Sequence, residues 1–277
     1  MGGQGSGNFG HSGRPDQVGG SGEGGGSKIT PKIVYQHSES SVTIPNHEKV
    51  CKYDLEYPLP LGTNKFSGNT MVHTDSKGEV RPGPHTEEAA AMGWWKGTGF
   101  EVIEAYNKNP DALFEPDREK AAEAVKVMDE VLSKSEIEQD VTVYRGINGL
   151  TAHGLDEKGE FKNPNFTSTT LAPGTAMGFA QHSPYNPDNV VSYQPGGMIP
   201  SHAEIQNLMM FTVPKGSNGF YWDSENEVLL PRGLSLKVTG VTEFQKGITM
   251  KRFTEDGRLM HATYETPIRV YTMEMKK

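Results

Sequence analysis

The sequence predicts an α+β fold, and three observations carry that reading. Helical patterning is concentrated between His85 and Asp140, strand patterning dominates afterwards, and no internal repeat interleaves the two. Thr86, followed by Glu87 and Glu88, reads as an N-cap with acids in the first turn of a helix ending near Gly97-Thr98-Gly99. A second helix is expected from Phe100 through Tyr106. A third, capped by Asp117, places Ala121, Val125, Met128 and Leu132 on one face. Strands are expected at 141–145, 166–170, 208–213, 225–230, 234–241 and 267–273.

The segment before His85 has a different texture. Residues 1–27 are rich in glycine, with Phe9 and Val18 as the sizeable apolar side chains after the initiator. Such a stretch buries too little surface to offset its ordering entropy, so a disordered tail is expected. Two GxGxxG matches fall inside it, but neither follows a strand or opens a helix, as a dinucleotide fingerprint requires. Residues 28–84 read as a poorly packed extension, with short strands at 32–35 and 41–44 and prolines at 58, 60, 82 and 84. The expected division is tail 1–27, extension 28–84 and catalytic domain 85–277.

Composition narrows the function classes. With 277 residues and a 34% hydrophobic share, the chain can form one or two domains with a real core. No run approaches the roughly 20 apolar residues of a membrane-spanning helix, and no basic-then-apolar leader opens the sequence. A cytoplasmic or delivered protein without a membrane partner is therefore expected. The 27 basic against 35 acidic residues give a net charge of −8, which argues against nucleic acid as the main partner. The single cysteine, Cys51, excludes an internal disulfide framework and a multi-cysteine zinc site, and no HExxH spacing occurs, so no metal is expected.

Three strands carry polar groups where apolar ones are the rule. In Val141-Thr142-Val143-Tyr144-Arg145-Gly146, period-two alternation puts Arg145 on the face of Val141 and Val143, at the strand's end. A guanidinium there wants an anion, and its planar fork suits phosphate, although a local carboxylate would also serve. Gly146 would let a ligand approach the backbone. In Phe166-Thr167-Ser168-Thr169-Thr170, the Ser168 and Thr170 hydroxyls share a face with Phe166 and need partners; an ordinary threonine-rich strand fits as well. In Ser224-Glu225-Asn226-Glu227-Val228-Leu229-Leu230-Pro231-Arg232-Gly233, Glu225 and Glu227 share a face about 7 Å apart. Like charges so placed on a half-buried strand disfavour each other's ionisation, which hints at chemistry, while an exposed edge strand would leave them merely solvated. Together the three point to one site: a fork for phosphate, hydroxyls to orient a carboxylate, and a carboxylate to stabilise an oxocarbenium-like centre. NAD contains a suitable glycosidic bond, and its nicotinamide is already a cationic leaving group.

The ordered set VYRG, FTSTT and ENEVLLPRG resembles the R-S-E class of mono-ADP-ribosyltransferases, bacterial exoenzymes and binary-toxin enzymatic domains in particular. Trp94-Trp95-Lys96-Gly97-Thr98-Gly99-Phe100 is similar to the family's helix signature, and LMMFTVPKG at 208–216 to the strand before its acceptor-recognition turn, which would cover 218–224. The resemblance implies two packed, mostly antiparallel sheets flanked by helices, with NAD, as substrate, in the cleft between them. It implies that Glu227 is the catalytic glutamate and that Glu225 positions or deprotonates the acceptor; glutamate at that place goes with arginine acceptors. It implies that Arg145 contacts the NAD phosphate, Gly146 meets the nicotinamide amide, Ser168 positions Glu227, and Thr169 and Thr170 shape the strand. Phe179 would pack on nicotinamide, although a helix core role is equally open. His182 stands where many relatives carry a second phosphate-binding arginine, and 182–202 is long and rich in proline.

The glycine-rich tail is similar to a segment of phage head-associated proteins, which implies a virion-linked enzyme delivered into a host. The activity expected is transfer of ADP-ribose from NAD to an arginine of a target protein. An NAD glycohydrolase and a non-catalytic virion component are the alternatives.

Overall fold

The computed structural model describes residues 29–44, 50–52, 72–74, 80–82, 87–180, 205–222, 226–254, 259–265 and 267–276. The tail, Glu225 and His182 lie outside them. The early strands are β1 (Lys32–Val34), β2 (Ser38–Ile44), β3 (Cys51–Lys52), β4 (Val72–Thr74) and β5 (Val80–Pro82). A helical run follows: α1 (Glu87–Trp94), a π-helical turn (Trp95–Gly99) and α2 (Phe100–Lys108). After a 3-10 turn at Pro110–Ala112 come α3 (Glu115–Lys134), β6 (Glu136–Ile137) and β7 (Val141–Ile147). Next are α4 (Gly149–Lys158), β8 (Glu160–Asn163), β9 (Thr167–Thr170) and α5 (Pro173–Ala180). The remaining strands are β10 (Gln206–Val213), β11 (Phe220–Trp222), β12 (Glu227–Leu230), β13 (Leu234–Phe244), β14 (Ile248–Thr254), β15 (Leu259–Tyr264) and β16 (Ile268–Met275).

The α+β class is therefore observed, with helices gathered early and strands late. Some boundaries move for identifiable reasons. Glycines 97 and 99 do not end the first helix; the backbone widens there into a π turn and continues into α2. Pro116 sits in the first turn of α3, where its missing N–H is harmless, so the helix starts upstream of Asp117, with Phe114 as the N-cap residue. The expected α3 face is buried as read: Ala121, Val125, Met128 and Leu132 are all in the core. The strand at 225–230 begins instead at Glu227, because Asn226 has a left-handed φ of 50°.

By hydrogen bonding the main sheet runs β1-β13-β16-β10-β7-β9-β12-β11, with β8 paired on β13. Most neighbours are antiparallel; β1·β13 and β10·β16 are parallel. One link in this path is thin: β7 and β9 share the single pair Tyr144↔Thr170. The path is thus two sheets pinched together at one residue pair, and they fold over one another. Val228 and Leu230 of β12 and Val141, Val143 and Ile147 of β7 enter one core with Met209, Phe211, Val238 and Tyr271. On the far side of β9 and β12, Phe166 and Leu229 pack with Met92, Trp95, Ile103 and Met128 of the helical layer. Tyr144, on the opposite face of β7, packs against Ala176 and Met177 of α5. Of the strands in the 28–84 stretch, β1 joins the main sheet on β13, β2 pairs with β14 in a separate three-stranded sheet and β3 pairs with β6 in a two-stranded one.

Beneath α4 lies a buried ionic cluster. Arg269 (5% exposed) donates to Glu243 Oε2 (2.8 Å) and Asp156 Oδ2 (2.9 Å), and the Tyr271 hydroxyl donates to Asp156 Oδ1 (3.0 Å). It ties α4 to β13 and β16.

Candidate active site

The pinch between β7 and β9 splays the two sheets and opens a cleft, lined among others by Arg145, Ser168, Thr169, Thr170 and Glu227. Glu227 stands directly opposite Thr170 in the β9–β12 register, and Ser168 is two residues along β9. Diagonal neighbours on one face lie within reach of long side chains. Ser168 Oγ accordingly donates to Glu227 Oε1 at 2.6 Å. Glu227 is only 6% exposed, so the solvated edge strand that its sequence allowed is not what forms.

Arg145 reaches the same place from β7. Its strand continues to Ile147, so it lies inside the strand rather than at its end. Val143 and Ile147, on its face, enter the core, while Arg145 sits at the pinch and Nη1 donates to the Ser168 carbonyl (2.5 Å). Burial draws the guanidinium below its ordinary pKa, and the carboxylates of Glu104 and Glu227 oppose that shift. The backbone carbonyl of Ser168 thus orients Arg145 while its hydroxyl orients Glu227.

The neighbouring hydroxyls act on the backbone. Thr169 Oγ1 donates to the Val228 carbonyl (2.6 Å), and Thr170 Oγ1 accepts from the Ala172 N–H (3.0 Å) just before α5. Phe179, on α5, is 60% exposed and lines the cleft, which decides against a core role. Gly146 also lines it, but the structure gives the glycine a different reason. A Cβ there would stand 2.1 Å from the Ala176 carbonyl oxygen and 2.6 Å from the Ala180 nitrogen, so its bare side seats α5.

The cleft encloses about 420 Å³, within the range of small-molecule sites, and is lined by Trp95, Phe100 and Phe166 besides the polar set. Sequence reasoning gave Lys96 no role. It projects from the π turn, a helix distortion often found at functional sites, and donates to Glu227 Oε2 at 3.2 Å. Its ammonium lies 5.0 Å from the centroid of the Trp222 ring. The only available signal was the Lys-Gly-Thr-Gly stretch interrupting a helical pattern.

The LLPRG continuation has a structural task. Arg232 Nε donates to Asp129 Oδ1 of α3 (3.0 Å) and Nη1 to Asn107 Oδ1 of α2 (3.1 Å), while Gly233 takes a φ of 80° at the turn. The stretch expected to form an acceptor turn contributes β11, paired with β12 through Trp222↔Glu227. Among the described residues no cluster of three or more metal-ligating side chains occurs, and no helix is long and apolar enough to cross a membrane.

No curated protein sequence matches the chain. Solved structures that resemble it include BECa, an ADP-ribosylating toxin of a binary enterotoxin of C. perfringens crystallised with NADH (18% identity, TM-score 0.43, 68% of this chain and 43% of that one). C3larvin, an ADP-ribosyltransferase from Paenibacillus larvae, matches at 17% identity and a TM-score of 0.42, over 70% of this chain and 88% of that one. The ADP-ribosyltransferase Vis, in complex with agmatine, matches at 17% identity and a TM-score of 0.44, over 69% and 75%. The chain spans less than half the length of the binary-toxin chain. The family model described as ADP-ribosyltransferase exoenzyme matches residues 104–258, more than half of the sequence and all three polar strands, and the chain belongs to that family.

Proposed function

We propose that the protein is an NAD-dependent mono-ADP-ribosyltransferase that moves ADP-ribose from NAD to an arginine of a target protein and releases nicotinamide. The observation that carries this reading is the Ser168–Glu227 hydrogen bond of 2.6 Å with the Arg145 guanidinium tethered to the same serine. A fork for phosphate and an oriented, buried carboxylate sit side by side in one cleft.

In this reading Arg145 holds the NAD phosphate and Phe179 covers the nicotinamide ring. Ser168 occupies Glu227 Oε1, and Oε2, which accepts from Lys96, is the oxygen that meets the ribose hydroxyl and the developing positive charge at C1′. The C1′–N bond breaks and its electron pair leaves with neutral nicotinamide. A guanidinium nitrogen of the acceptor then bonds to C1′, and its proton passes to a carboxylate, the role we assign to Glu225. The arginine preference rests on that residue's place two positions before Glu227.

The test is to incubate the protein with NAD, agmatine and a protein lysate, and to locate the ADP-ribose by mass spectrometry. Attachment to guanidinium groups is expected. Nicotinamide release without any attachment would replace this reading with an NAD glycohydrolase, and failure to consume NAD would remove both.

A further inference from the structure

Each oxygen of Glu227 has its own donor, Ser168 on Oε1 and Lys96 on Oε2. The two donors differ in kind. The serine is neutral and comes from the adjoining strand, whereas Lys96 brings a full positive charge from the helical layer. Its ammonium stands between a carboxylate oxygen at 3.2 Å and an indole ring centred 5.0 Å away. An acid and an aromatic face together make a seat for a cation. A buried carboxylate without a counterion is costly, and the Lys96 ammonium supplies one in direct contact.

The ligand of the proposed reaction carries its own positive charge, on the pyridinium ring and then on the ribosyl centre. That charge must approach the oxygen Lys96 holds. We infer that Lys96 is a positioning residue, the resident counterion of Glu227, and that the nicotinamide–ribosyl cation must displace it from the Glu227–Trp222 seat. The inference rests on the NAD reading above and adds an exchange of one cation for another. Lys96 thereby holds Glu227 in place and lowers the affinity for a positively charged ligand in particular.

The effect therefore depends on ligand charge, and NAD and NADH differ by one charge at the nicotinamide ring. Calorimetry on the full chain would give Kd for each dinucleotide with the wild type, Lys96→Met, Lys96→Gln and Lys96→Arg. The glutamine variant retains a neutral donor for Glu227 should the methionine variant fold poorly. Both neutral variants are expected to shift the NAD-to-NADH affinity ratio towards NAD by about fivefold, the scale of one partly screened ion pair. The arginine variant should keep the wild-type ratio. In a Glu227→Gln background, Lys96→Gln should no longer move it. A ratio unchanged in the neutral variants, or moved equally without the Glu227 charge, overturns the inference and leaves the NAD reading standing. A wild type that binds neither dinucleotide overturns both.

Discussion

Ser168 and Glu227 are 59 residues apart in sequence and 2.6 Å apart in space, joined across β9 and β12 two residues off the directly opposed pair Glu227↔Thr170. That diagonal fixes which carboxylate oxygen the serine holds and which is left to Lys96. Ser168→Ala removes a hydrogen bond to a charged group, worth about 1.5–3 kcal/mol. Turnover should fall roughly ten- to a hundredfold, with the loss in kcat rather than in the KM for NAD. Steady-state kinetics at varied NAD separate the two.

Arg145 offers a planar fork that lysine cannot copy. Arg145→Lys keeps the charge but loses the geometry set by the Ser168 carbonyl. NAD affinity measured by calorimetry should drop by about tenfold, the equivalent of 1.4 kcal/mol. Affinity for nicotinamide alone should stay near the wild-type value.

Gly146 tests the packing that positions the cleft wall. In Gly146→Ala the new methyl meets backbone of α5 at 2.1 and 2.6 Å, so the helix must move. Overpacking of this kind costs about 1–3 kcal/mol. The melting temperature should fall, and NAD binding should weaken with it because α5 carries Phe179.

The Arg269 cluster serves stability. Arg269→Met strands the buried Glu243 and leaves Asp156 without its cation, a loss of about 3–5 kcal/mol for a broken buried pair. Denaturant melts should show that loss. The protein that remains folded should turn over NAD at the wild-type rate, since the cluster lies outside the cleft.

Cys51 supplies a pH dependence. Burial pushes its thiol up to about 11 from an ordinary 9.0. The native state therefore holds this proton more tightly than the unfolded state. Its stabilising contribution is complete below pH 9.0 and is lost as pH rises towards 11. Iodoacetamide should alkylate native Cys51 slowly at pH 8 and denatured Cys51 quickly. Equal rates would contradict the shift.

The sequence made the strands of the site legible because alternation is local. Arg145 with Val143, Ser168 with Phe166, and Glu227 opposite in phase to Val228 all follow from period two. What joins them is not local. The single bridge Tyr144↔Thr170 that splays the sheets depends on pairing between distant strands. Lys96 and Glu227 are 131 residues apart, and nothing near either one marks the pair. Glycine is the usual stop signal and predicts a helix end at 97–99, yet Gly99 lies against the Trp94 ring, where a Cβ would stand 2.3 Å from it. Asn226 broke the extrapolated alternation from Glu227 back to Glu225, since a left-handed residue ends a strand whatever its side chains suggest.

The central claim is that Glu227 is the carboxylate on which transfer depends, and Glu227→Gln tests it most directly. The change keeps shape and a hydrogen-bond acceptor for Ser168 while removing the charge. Labelling of acceptor protein by NAD should fall by about a thousandfold or more, the scale of losing a principal electrostatic stabiliser, while NAD still binds by calorimetry. Labelling that persists at the wild-type rate in this variant would contradict the account.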